Sequence, residues 1–219
     1  KFRNSTNKRI FFANWETYFL LAEAAVKGWN TGTTAQTAYE NGVKANFEYM
    51  GVSQFATEYL SSTNYNRVGT SVSFTHTSEP GQSKNMSFVD GYTGATGTVN
   101  IAYPVNTIYK NGTVKNDVLT KIITQKYIAN MPWLPLESWN DHRRLGLPFF
   151  ENPAIENPLP NLPALTSGNM MTNAINFYPQ RLQYPSSLVG ADPKGYTQAV
   201  ELLGGADKVL TPLWWAKQK

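Results

Sequence analysis

Residues Ile122–Pro148 read IITQKYIANMPWLPLESWNDHRRLGLP. The run opens as an amphipathic helix, with Leu119, Ile122, Ile123, Tyr127 and Met131 recurring at helical spacing, and breaks at Pro132. A second, shorter helix then carries Glu137, Trp139, Asp141, His142, Arg143 and Arg144, and Gly146 and Pro148 stop it. So many charges beside a tryptophan on about two turns point to a helix whose charged groups are tied into a network. Glu137, Trp139, Asp141 and Arg143 are the residues expected in it, a carboxylate pairing with a buried arginine while the indole packs beneath. The competing reading takes Glu137, Asp141 and His142 as an acid/base or metal cluster, because Ser138, Asp141 and His142 share a face. Against it, the only other histidine is His76, far off in a polar stretch.

Working back along the chain, Trp15, Tyr18, Phe19, Ala22, Ala25, Val26 and Trp29 recur at helical spacing behind Asn14, a plausible N-cap. After the NTGTT break, Thr33 or Thr34 caps a second helix with Ala35, Ala38, Tyr39, Gly42, Ala45 and Tyr49 on one face and Gly51 just past its end. Small residues at Ala22, Ala25, Ala38, Gly42 and Ala45 let two antiparallel helices approach, and aromatics fill the grooves. This is the logic of a tetratricopeptide-type hairpin, although the strict repeat is not met and one unit cannot bury both its faces. A short third helix holds Phe55, Ala56, Tyr59 and Leu60.

From about Ser61 to Gly112 the chain is polar. Alternating runs at Ser71–His76 and Thr98–Pro104 suggest one or two short hairpins, with Gly91–Gly97 (GYTGATG) at a tip. That glycine spacing does not fit a phosphate-cradling loop. Prolines 148, 153, 158, 160 and 163 punctuate an extended segment anchored by Leu159, Leu162 and Leu165, and Asp192–Pro193 is a helix start. The Trp214–Trp215 pair is expected to dock the C-terminal tail into a groove.

Four segments together resemble the SusD/RagB family of bacterial outer-membrane nutrient-binding lipoproteins: NWETYFLLAEAA at Asn14–Ala25, the Ile122–Pro148 stretch, Tyr184–Pro185 following Arg181, and the aromatic terminus at Trp214–Trp215. The resemblance runs from about residue 13 to the end, with little match across 61–113. It implies a mainly α fold of tetratricopeptide-like hairpins with long loops and minor β-hairpins. The 219 residues would be the C-terminal portion of a single domain: a helical hairpin at 13–51, a variable excursion at 61–113, and late helices with a proline-rich tail at 114–219. It further implies non-catalytic capture of a glycan or peptide at the cell surface and delivery to a TonB-dependent SusC-like transporter. The lipid anchor would sit upstream and be the only membrane contact. The family scaffold also favours the structural reading of the Trp139 helix.

Composition is compatible with this and narrows the rivals. Charged residues are 16% and aromatics 13% of the chain, with 13 prolines and 16 glycines, which is not a disordered composition. A net charge of +4 without a basic stripe argues against a nucleic-acid partner. There is no cysteine, hence no disulfide or thiol chemistry. No apolar run approaches the roughly 20 residues of a membrane helix. No nucleophile elbow, cofactor fingerprint or paired metal-ligand motif is present, so no cofactor is expected. A glycoside hydrolase with carboxylates that meet only in space, or a helical protein-interaction scaffold, remain the alternatives. For ligand contact the aromatics of the polar excursion matter most: Tyr65, Phe74, Phe88, Tyr92, Tyr103 and Tyr109 sit among Asn, Ser, Thr and Gly. Rigid rings stack on the C–H faces of sugars at low entropic cost. Tyr92 after Asp90 is the first choice, and Tyr65 beside Asn64 and Arg67 the second.

Overall fold

The computed structural model describes residues 9–104, 114–150, 181–209, 211, 213 and 214. Among these residues the architecture is mainly α with one antiparallel β-hairpin. Helices α1 (Asn14–Val26) and α2 (Ala35–Met50) form a hairpin. A 3-10 turn (Ser53–Phe55) leads into α3 (Ala56–Ser61). Strands β1 (Ser83–Val89) and β2 (Thr96–Ala102) follow, then α4 (Val118–Asn130), α5 (Pro135–Leu145), α6 (Ser187–Ala191) and α7 (Pro193–Leu203).

The α1/α2 hairpin closes as the small residues require. Trp15, Phe19 and Ala22 from α1 pack with Ala38, Tyr39, Val43 and Ala45 from α2. A Cβ built at Gly42 would lie 2.9 Å from the Phe19 ring, so the glycine gives the ring its room. Thr34 caps α2 by accepting from the N–H of Thr37 at 3.0 Å. Gly51 ends it at φ +74°, where a Cβ would be strained, and Val52 N–H closes onto Phe47 O at 2.9 Å. The cap of α1 differs from expectation. Asn14 is the first helical residue, and the N-cap is Ala13, extended and buried, without a side-chain cap bond. Burying Ala13 in the core fixes the helix entry in place of a polar cap.

Helix α4 runs through the middle. Ile122 joins the α1/α2 core, while Leu119 and Ile123 face a second cluster of Val68, Leu145, Leu147 and Phe149. Asp117 caps it by accepting from Thr120 N–H at 2.8 Å. Tyr59 on α3 donates to Gln125 at 2.9 Å and stacks on Phe47, which seats α3 against both layers. Pro135 opens α5 and Gly146, at φ +67°, closes it.

The strand expected at Ser71–His76 is not one. Phe74 turns inward onto Tyr39, ring centroids 5.4 Å apart, and the Tyr39 hydroxyl donates to Val72 O at 2.6 Å. Core contacts and side-chain bonds take up this segment instead of a ladder. The first strand lies further on, with Ser83 opposite Ala102 and Val89 opposite Thr96. The turn sits where the glycines place it: Asp90 N–H donates to Ala95 O, and Gly94 has φ +72°. At Asp192–Pro193 the expected start holds, Asp192 accepting from Gly195 N–H at 3.0 Å. Trp214 is 79% exposed rather than sunk in a groove. The prolines from 153 to 163, their leucine anchors and Trp215 lie outside the described residues.

Candidate functional site

Three helices meet at a buried ion network. Lys126 of α4 is 3% exposed, and its ammonium lies 2.8 Å from Glu16 of α1 and 2.8 Å from Asp141 of α5. Asn130, one turn on from Lys126, donates to the other Glu16 oxygen at 2.8 Å and accepts from the Trp15 indole at 3.0 Å. Arg144 forks between Asp141, at 2.8 Å, and both oxygens of Glu23; Lys27 reaches Glu23 at 2.8 Å. Helical spacing makes this possible: Glu16 and Glu23 are seven residues apart on α1, Lys126 and Asn130 four apart on α4, Asp141 and Arg144 three apart on α5.

The electrostatics follow from the geometry. Burial alone would raise the Glu23 carboxyl, but the Arg144 fork and Lys27 more than reverse that and hold it at about 2. Burial works against the charge on Lys126, and Asp141 and Glu16 outweigh it, so its pKa rises. The same balance, with Glu23 and Asp141 as partners, raises Arg144. Glu16, Glu23 and Asp141 stand against Lys27, Lys126 and Arg144, so the formal charges cancel.

Of the residues expected in this network, the structure brings Asp141 to its centre. Arg143 is not the arginine that meets it; that is Arg144, because three residues along a helix return to the same face and two do not. Trp139 is 43% exposed, not packed beneath the charges, and Glu137 lines the rim of the adjoining groove. His142 turns the other way, its ring 4.9 Å from that of Phe150, and burial lowers its pKa. Asp141 and His142 therefore do not converge on one point. Among the described residues, no group of three or more His, Asp or Glu side chains is placed to hold a metal ion.

Sequence reasoning missed Glu16, Glu23 and Lys126. The available signal was a pair of acids on one stripe of an otherwise apolar helix. Beside the network opens a groove of about 760 Å3, walled by Leu20, Leu21, Phe11, Phe12, Trp29 and the α5 rim.

A second polar node anchors the loop that carries Tyr65. The fully buried Lys121 ammonium donates to Ser71 O at 2.9 Å, Ser71 Oγ at 2.7 Å and Asn116 Oδ1 at 2.6 Å. Burial pulls its pKa down to about 8, with Asp117 and Glu79 opposing. Asn116 also donates to His76 O and Ser78 O, and the Glu79 carboxylate accepts from the N–H groups of Lys115 and Asn116. Tyr65 rests on this frame: its hydroxyl donates to Ser78 O at 2.9 Å and its ring sits 5.4 Å from that of His76.

The rings singled out for ligand contact fall in different places. Tyr65 is 38% exposed, next to the exposed Asn64 and Arg67. Arg67 lies at the base of the β-hairpin, its carbonyl accepting from Lys84 and its guanidinium 3.9 Å from Met86 Sδ. Tyr92, at 99% exposed, stands at the hairpin tip, where Asp90 accepts from the N–H groups of Tyr92 and Thr93 and fixes the turn. Strands β1 and β2 separate the two sites, so Tyr65, Asn64 and Arg67 form one group and Tyr92 with Asp90 another. Phe74 belongs to the core, Tyr103 is buried against Gly69, Phe88 covers Gly97, and Tyr109 lies outside the described residues.

With this geometry, comparison with known proteins is direct. A family model described as SusD-like, SusD and RagB outer membrane lipoprotein, matches residues 1–216. The chain belongs to that family. A SusD homologue from Parabacteroides distasonis is 31% identical with a TM-score of 0.59, over 94% of this chain and 32% of that one. A chitin-binding SusD homologue from Flavobacterium johnsoniae is 30% identical, with a TM-score of 0.54, over 94% of this chain and 36% of that one. A SusD homologue from Bacteroides ovatus gives 26% and 0.55, over 93% and 37%. The chain thus spans about a third of the length of these solved relatives. No curated protein matches it.

Proposed function

We propose that this chain is the C-terminal portion of a single SusD/RagB-like domain that captures a glycan or other nutrient at the cell surface. The protein passes its cargo, unaltered, to a TonB-dependent SusC-like transporter in the outer membrane, held there by a lipid anchor outside these 219 residues. The family match across 1–216 carries this reading. The chitin-binding relative makes an N-acetylated glycan the first ligand to try, with peptides next.

The chemistry of the buried acids supports a non-catalytic role. Glycoside hydrolysis needs one carboxylic acid kept protonated by a raised pKa. Glu23 is held at about 2, and Glu16 and Asp141 are both engaged by Lys126. These are scaffold charges. Tyr65 with Asn64 and Arg67, and Tyr92 with Asp90, are the ligand-contact candidates: exposed rings beside polar side chains that bond hydroxyls.

Isothermal titration against chito-oligosaccharides, other oligosaccharides and peptides, with product analysis on the same samples, tests the reading. Saturable heat without new products is the expected result. Turnover would overturn it, and so would failure of a β-barrel transporter to co-purify with the full-length protein.

A further inference from the structure

Helix α5 has a second working face. Asp141 and Arg144 turn to the ion network, whereas Pro135, Ser138, Trp139 and His142, at i, i+3, i+4 and i+7, line a separate cavity of about 240 Å3. Tyr127 of α4 and Met131 at its C-cap form the opposite wall, and Phe150 closes one end. The Phe150 ring lies edge-on to Tyr127, centroids 5.2 Å apart, and 4.9 Å from His142. Met131, Trp139 and Phe150 remain exposed at the mouth, so the cavity opens to solvent.

One polar atom in this wall is out of place. Ser138 is 5% exposed, and its hydroxyl has no hydrogen-bond partner among the described residues. A buried helical hydroxyl ordinarily bonds the carbonyl four residues back. Thr124 does so on Thr120 O at 2.7 Å, and Thr197 on Pro193 O at 2.9 Å. Ser138 does not, and an unmet buried hydroxyl is costly.

We propose that this cavity is a binding site for one aromatic ring carrying a hydroxyl, a phenol, whose oxygen pairs with Ser138 Oγ. It is lined by no residue of the Tyr65 or Tyr92 groups and does not depend on their role in nutrient contact. Size and chemistry choose the ligand. A cavity of about 150 Å3 holds a benzene ring, so this one takes a ring with a short substituent. The ring cluster accepts a further ring edge-to-face, and the Met131 thioether suits an aromatic edge. No Asp, Glu, Lys or Arg is among the described lining residues, and burial keeps His142 neutral by lowering its pKa, so the guest is uncharged. A bare sugar ring would bring more hydroxyls than this wall can satisfy. The phenol comes either from a free compound or from a tyrosine side chain of a peptide.

The test is a ligand-observed NMR titration of the longer protein with p-cresol, toluene and N-acetyltyrosinamide. Saturable p-cresol binding is expected, with toluene weaker by about three- to tenfold, the worth of one hydrogen bond. Ser138→Ala removes only the hydroxyl and keeps a good helix former. It should weaken p-cresol by the same factor and leave toluene unchanged. No saturable p-cresol binding overturns the proposal, as does equal affinity for p-cresol and toluene or an unchanged p-cresol affinity in Ser138→Ala. The third probe separates the sources, and either result keeps the site: N-acetyltyrosinamide binding as tightly as p-cresol assigns a peptide, and p-cresol binding alone assigns a free phenol.

Discussion

Replacing Lys126 with methionine is the sharpest perturbation of this fold. Methionine matches the stem in length and apolar character, so packing along α4 is retained and the ammonium alone is lost. What remains is a 3% exposed Glu16 and a 6% exposed Asp141, each short of its 2.8 Å cation. Breaking a buried pair by removing one partner costs about 3–5 kcal/mol, because the stranded charge stays desolvated. Glu16 keeps its bond from Asn130 and Asp141 keeps Arg144, which puts the loss near the lower bound, about 3 kcal/mol. At a urea slope of about 2 kcal/mol/M, the midpoint falls by about 1.5 M. The companion variant Lys126→Met/Glu16→Gln decides the mechanism: glutamine still accepts from Asn130 but carries no charge, so the double variant should recover about 1–2 kcal/mol over the single. A single variant within about 0.5 M of the parent, or a double variant less stable than the single, would refute the idea that charge pairing fixes the α1–α4–α5 contact.

Acid should act through Glu23. Its folded pKa of about 2 lies below its ordinary 4.5, so the unfolded chain binds the proton first. The stability it supplies is complete above pH 4.5 and is lost as the pH falls toward 2. The loss reaches at most about 3 kcal/mol, and Glu23→Gln should flatten the pH–stability curve in that window; an unchanged slope would refute the assignment. Gly42→Ala should cost about 1–3 kcal/mol by driving a methyl into the buried Phe19 ring, and a thermal scan showing no loss would mean the two helices can part freely. Lys121 gives a slope of the same sign as Glu23 at the alkaline end: its folded pKa, about 8, lies below the ordinary 10.5, so between those values the unfolded chain holds the extra proton and this group's contribution to stability rises with pH. Lys121→Met should remove that rise in denaturation curves measured at pH 7.5 and 10. For ligand contact, Tyr65 and Tyr92 stand at the two ends of a seven-residue ladder, about 20 Å apart at about 3.4 Å per residue. Alanine at one of them, not both, should weaken a disaccharide in titration.

Much of the architecture was legible because local rules and packing agree there. Thr34 and Gly51 delimit α2, the small residues mark its close contact with α1, and Asp192–Pro193 starts α7. The Ser71–His76 run misled for a physical reason. Its alternation looks like a strand, yet Phe74 is drawn onto Tyr39, and the Ser71 carbonyl and hydroxyl are taken by Lys121. No pattern in the run itself announces a buried lysine fifty residues on. The α5 network was readable as a network but not by membership. Periodicity gives the face of Asp141 and Arg144, while the partners on α1 and α4 are set by tertiary contact.

The two polar centres show how the polar excursion is fastened to the helical scaffold. Both are buried, both use a lysine of α4, and they lie on either side of Ile122 and Ile123, which fill separate hydrophobic clusters. Lys126 ties α4 to the helices that carry the family motifs. Lys121 ties it to the loop that carries Tyr65. In each case a buried cation holds acceptors from separate segments, and any displaced acceptor would leave charge desolvated with one partner fewer. The loop can therefore change its exposed residues, Asn64, Tyr65 and Arg67 among them, while Ser71 and Asn116 keep it in register with α4. Such a division, with buried polar anchors beneath and exposed rings above, leaves the rings free to be exchanged without disturbing the contact between the loop and α4.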